Sequence, residues 1–183
     1  MGAVRRYFDR ASLRDAHRSA GSIAKLIVYA PPWAAASLAA AITFGLLSLP
    51  FMPIEWRWQS TGTRLFERPF ASAFLAAAVI APLIETLVCQ TIPLEILRRV
   101  TSRGWIAVVL SALFFGSLYT IRGGPHQAVA AFGSGLVFAF LYTRARRLGP
   151  LHAYAAVAAA HAIHNSVVVL LVTALLAVVS RGG

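Results

Sequence analysis

Acidic residues are scarce in this chain: of 183 residues only 6 are Asp or Glu, against 17 Lys and Arg. Charged residues of both signs together make up 13%. An ordinary soluble domain carries roughly a quarter, so the usual water-facing surface cannot be built from this composition. The single cysteine, Cys89, excludes an intramolecular disulfide framework. It lies in an apolar stretch and is expected to be a packing residue. No internal repeat or low-complexity linker divides the chain, which is expected to form one domain.

What the chain has instead is apolar bulk, 58% in the AVILMFWYC set with a mean hydropathy of +0.71, and a formal charge of +11. A strong positive excess suits either nucleic acid or a membrane. The placement of the charges decides between them. A nucleic-acid binder spreads basic residues over a face, whereas here they cluster between long uncharged gaps. Nothing charged lies between Lys25 and Glu55, between Arg103 and Arg122, between Arg122 and Arg144, or between Arg147 and Arg181, and the stretch from Arg68 to Arg98 holds only Glu85 and Glu95. Each gap can cross a hydrocarbon core, which needs about 20 apolar residues. The expected fold is an all-α polytopic transmembrane helix bundle of about five spans, embedded in the lipid bilayer and with no nucleic-acid partner. Residues 1–25 form a basic leader and 26–180 the helical domain.

The leader does not resemble a removable signal, because polar and basic residues precede the first apolar run and no small-x-small cleavage pattern follows it. Val4, Tyr7, Phe8 and Ala11 share one helical face while Arg6, Arg10, Arg14 and Arg18 repeat every four residues. That pattern suits an interfacial helix on anionic headgroups, or equally a disordered topology signal. With the leader in the cytoplasm, 12 of the basic residues fall on that side and 5, Arg57, Arg64, Arg68, Arg122 and Arg181, on the other. The positive-inside rule therefore places the N-terminus in and the C-terminus out. Trp33 and Trp105 at inner ends and Trp56 and Trp58 at an outer end suit an aromatic belt. The strong preference for Arg over Lys points to a GC-rich bacterial source, hence to an inner membrane.

Ionisable groups within spans are costly and mark function. Span two carries Glu85 near its centre, with Thr86 beside it and Gln90 five residues on. Glu95, near the cytoplasmic end, is placed to pair with Arg98 or Arg99 one helical turn away. Span five carries His161, His164 and Asn165, with His161 and Asn165 stacked on one face at i, i+4. At 1.5 Å of rise per residue, Glu85 lies about 18 Å from the inner side, His161 about 14 Å, Asn165 about 20 Å and Tyr119 of span three about 21 Å. Polar groups from three helices thus converge on one level, as they do around a polar site inside a bundle.

A carboxylate in apolar surroundings with donors beside it can take a proton from water, and His161 and Asn165 can donate to a developing oxyanion. This set fits metal-free hydrolysis of a carbonyl compound. Two histidines and a carboxylate are also donors that zinc accepts, but no His-Glu-x-x-His spacing is present, so no metal or cofactor is expected.

These residues resemble the CPBP family of CAAX-processing and bacteriocin-maturation intramembrane proteases, also called the Abi family, over roughly residues 70–171. The family carries an Ala-Pro followed by Glu-Glu-x-x-x-Arg, then Phe-x-x-x-His, then His-x-x-x-Asn or His-x-x-x-Asp. Here Ala81-Pro82 precedes Glu85-Thr86 and Gln90, His161 and Asn165 form the third motif, and Phe115-Gly116-Ser117-Leu118-Tyr119 has a tyrosine where the second motif has histidine. Gly135 and Leu141-Tyr142 resemble the family's small-residue helix. The resemblance implies that Glu85 activates a water and that His161 and Asn165 form an oxyanion hole. The substrate it implies is a hydrophobic or lipidated peptide.

A phenol, with an ordinary pKa of about 10, can hydrogen-bond a water but is a poor base at neutral pH. Tyr119 therefore leaves two alternatives open. Another imidazole substitutes for the missing one, either His126 at the outer mouth of span four, about 25 Å from the inner side, or His164. Otherwise the chain has lost catalysis and serves as a membrane binding or scaffold protein. A proton-coupled carrier is disfavoured, since such carriers often show internal repeats.

Overall fold

The computed structural model describes residues 28–54 and 69–182. The basic leader and the loop with Trp56 and Trp58 lie outside the described residues. Within them every regular element is helical. Five helices are long and apolar enough to cross a membrane: α1 Ala30–Phe51, α2 Phe70–Val100, α3 Gly104–Ile121, α4 Gly123–Leu148 and α5 Pro150–Arg181. Large apolar side chains such as Ile42, Leu46 and Leu47 on α1 and Leu170, Leu171 and Leu175 on α5 are exposed. Water penalises such a surface and lipid does not. The protein is an integral membrane helix bundle.

Proline and glycine set the helix boundaries. Pro31 and Pro32 open the first turn of α1, where a missing N–H costs nothing. The α3–α4 and α4–α5 reversals both use Gly-Pro. Gly124 has φ 77° and Gly149 has φ 121°, values that side chains with a Cβ rarely adopt, and Pro125 and Pro150 then start the next helix with φ already fixed.

The interior is made largely of small residues. Gly133 lets α1 lie close on α4: a Cβ there would stand 2.8 Å from the Ala40 carbonyl. Gly116 does the same for α3 on α4, its Cβ position falling 2.8 Å from the Ala128 carbonyl, and Gly135 lies under Phe115 and Ala112. Without a hydrophobic force between helices in lipid, such close approach is what association depends on. Around these contacts Leu94, Phe138, Tyr142 and Val157 fill the larger spaces, with Ala107, Ala139, Ala153 and Ala160 between them. Cys89 is a buried thiol outside any disulfide, packed with Phe115 and Ala131.

Near the cytoplasmic end expected from the charges, Glu95 of α2 meets Arg98, as its spacing predicts, at 3.1 Å. The stronger contacts come from α4. Arg146 Nε donates to Oε1 and its Nη2 to Oε2, the latter at 3.1 Å, while Tyr142 donates its hydroxyl at 2.9 Å. This fork-to-fork pair ties α2 to α4.

Helix α2 departs from α-helical spacing twice, over Leu75–Ile80 and Thr86–Thr91, where the hydrogen bonds run i to i+5. In each case a proline, Pro82 or Pro93, follows within two residues. Such π segments often mark functional sites, and Glu85 lies between these two.

Candidate active site

Three helices converge at Glu85, which is only 8% exposed. Tyr119 of α3 donates its hydroxyl to Glu85 Oε2 at 2.8 Å. His161 of α5 places Nε2 3.7 Å from the same oxygen, beyond hydrogen-bond reach but in its field. His161 is buried and held on two sides. Its Nδ1 is 3.3 Å from Thr86 Oγ1. Its ring lies against Phe138 at 4.8 Å between centroids and edge-on to Phe115 at 5.6 Å. The residue after Glu85 thus orients the imidazole that faces Glu85.

His164, one turn on from His161, is also buried, and its Nδ1 lies 2.7 Å from Ser37 Oγ of α1. Ser37 Oγ is 2.8 Å from the Ala34 carbonyl, to which it must donate because a carbonyl can only accept. Toward His164 the serine oxygen is then an acceptor. This assigns the Nδ1–H tautomer to His164 and leaves its Nε2 with a lone pair. Asn165 donates Nδ2 to the Ala77 carbonyl of α2 at 2.8 Å.

A cavity of about 220 Å³ opens beside these groups, lined by Tyr119, Gln127, Ser134, His161, His164 and Asn165 together with apolar side chains. It has room for waters and a small side chain. Of the candidates read from the sequence, Glu85, Tyr119, Thr86, His161, His164 and Asn165 are therefore brought together. Gln90 and His126 are not. Gln90 accepts from Ser111 Oγ at 3.0 Å and reaches the Gly135 carbonyl at 3.4 Å, joining α2, α3 and α4 below the cavity. His126 turns to α1, where its Nδ1 is 3.2 Å from Ser48 Oγ.

Two contributors were not evident from the sequence. Gln127 faces the cavity because it lies about 100° around the helix from His126, and a glutamine beside a loop end carries no distinctive pattern. Ser37 gave no signal, since a serine in an apolar span commonly satisfies itself on the preceding turn.

Glu85, His161, His164 and Asn165 are all potential ligand residues, but among the described residues no group of three or more His, Cys, Asp or Glu side chains is arranged to hold a metal ion.

The model of the type II CAAX prenyl endopeptidase Rce1-like family matches residues 67–167. No curated protein and no solved structure matches the chain. The matched segment covers more than half of the sequence, running from the start of α2 into α5 and taking in Glu85, Tyr119, His161 and Asn165, and the chain therefore belongs to the type II CAAX prenyl endopeptidase Rce1-like family of membrane proteases.

Proposed function

We propose that the protein is an intramembrane endopeptidase that hydrolyses a peptide bond in a hydrophobic or lipidated substrate, without a metal or other cofactor. The observation that carries this is the meeting of Glu85, Tyr119 and His161 from three helices, with Tyr119, His161 and Asn165 on the wall of a cavity that has room for water. Glu85 takes the proton of a cavity water, and the resulting hydroxide attacks the scissile carbonyl. Tyr119 holds the Glu85 carboxylate in place by donating to Oε2. His161 and the unbound N–H of Asn165 donate to the tetrahedral oxyanion, and this stabilisation is the larger share of the rate. The collapse of that intermediate breaks the C–N bond, with the proton held on Glu85 passing to the leaving amine.

The lipid bilayer is the working environment, and the substrate approaches from within it. The charge distribution supports an N-terminus in the cytoplasm and a C-terminus outside, and the preference for Arg over Lys supports residence in a bacterial inner membrane. The basic leader over 1–25 then serves as a cytoplasmic segment ahead of a single helical domain.

A second reading rests on the same tyrosine. Because Tyr119 occupies Glu85 Oε2 directly, a member without catalysis that binds membrane peptides as a scaffold is the competing function. Purified protein in liposomes, given a fluorogenic CAAX peptide with and without a prenyl chain, separates the two. Cleavage that disappears in Glu85→Gln and in His161→Ala supports the protease. Peptide binding without cleavage, unaltered by either substitution, supports the scaffold.

A further inference from the structure

Ala77 has lost both backbone donors within its reach. In an α-helix its carbonyl would accept from the N–H of residue 81, and with π spacing from that of residue 82. The N–H of Ala81 bonds instead to the Ala76 carbonyl. Residue 82 is a proline and has no N–H to give. A carbonyl left this way inside a membrane needs a side-chain donor, because lipid offers none.

Asn165 supplies that donor from the neighbouring helix at 2.8 Å. A carboxamide is planar, so once one N–H is fixed on Ala77 the direction of its second N–H is fixed as well. Asn165 lines the cavity beside His161. The combination of a π turn and a proline in α2 therefore determines how an amide on α5 is presented to a reacting group.

We propose that Pro82 is a positioning residue for Asn165: by withholding a backbone N–H it leaves the Ala77 carbonyl to the carboxamide and so aims the amide's free donor into the cavity. Only the kinetic consequence rests on the protease reading. The second π segment provides an internal control, because Ile92 N–H bonds to the Leu87 carbonyl there and Pro93 follows, while the Asn165 carboxamide is bonded to the Ala77 carbonyl of the first segment.

Asn165 is the only asparagine in the sequence. Asparagine labelled with ¹⁵N at Nδ2, incorporated into the full chain in lipid nanodiscs, therefore gives a single NH₂ pair. In the wild-type protein one proton is expected well downfield of the other. That separation collapses toward the free-amide value in Pro82→Ala, which regains a backbone donor at residue 82, and persists in Pro93→Ala. A wild-type pair at free-amide shifts, or a pair unmoved by Pro82→Ala, overturns the proposal. In the peptide assay Pro82→Ala lowers kcat about tenfold with KM unchanged, short of the loss expected for deleting an oxyanion donor outright, and an unchanged kcat overturns the positioning role. If the wild-type chain cleaves no peptide, the protease reading fails and the NH₂ pair still decides whether Pro82 orients Asn165.

Discussion

Tyr119 Oη and His161 Nε2 approach the same oxygen of Glu85, the first at 2.8 Å as a donor and the second at 3.7 Å. The tyrosine therefore acts as a clamp on the carboxylate. It fixes the position of that oxygen by donating to it. An imidazole at residue 119 could share the proton instead of only holding the acceptor.

Replacing Tyr119 by histidine is accordingly expected to raise the cleavage rate. Tyr119→Phe should remove this donor and cost about 0.6–1.7 kcal/mol of stability, from the average to the largest value for interhelical hydrogen bonds in membranes. Peptide turnover in liposomes and thermal unfolding in detergent check the two effects. A Tyr119→His protein slower than wild type would show that the phenol is itself part of the mechanism.

Glu85→Gln should separate stability from activity. The amide keeps an acceptor for Tyr119 and removes a buried charge, so the melting temperature is expected to hold or rise. The rate of cleavage should fall by about 10²–10⁴, the usual contribution of a positioned base. A variant that retained turnover would remove Glu85 from the chemistry.

The Glu95–Arg146 pair sits where α2 and α4 end, with both side chains roughly a quarter exposed. Its worth should fall between that of a surface pair and that of a buried one. Arg146→Met or Glu95→Gln alone is expected to cost about 1–3 kcal/mol. The double variant should be less destabilised than the sum of the two, because it strands neither partner of the pair as an uncompensated charge. Additive losses in a double-mutant cycle would show that the two residues act independently.

Gly133→Val tests the close approach of α1 and α4. Its Cβ would meet the Ala40 carbonyl at 2.8 Å and the Phe44 ring at 2.9 Å, so the helices must separate, at about 1–3 kcal/mol. Gly104→Val, where a Cβ meets nothing within 4 Å, is the matched control, and its unfolding temperature should drop far less.

Much of the architecture was legible in the chain because lipid imposes one rule: a span must be long, apolar and helical, with its backbone bonded to itself. The gaps between charges located all five spans, and the level of Glu85, Tyr119, His161 and Asn165 followed from counting residues. The cost of an ionisable group in hydrocarbon singled out Glu85 and the two histidines for the same reason. Which groups touch was decided only by the packed bundle. Contact depends on the rotation of each helix about its axis, and one residue of extra spacing turns a helix by about 100°. The two π segments of α2 introduce such turns without an unambiguous signature in the sequence. The pairing of Tyr119 with Glu85, of Ser37 with His164, of Arg146 with Glu95 and of Asn165 with the Ala77 carbonyl therefore belongs to the tertiary structure, and so does the turning of His126 away from the cavity that its neighbour Gln127 lines.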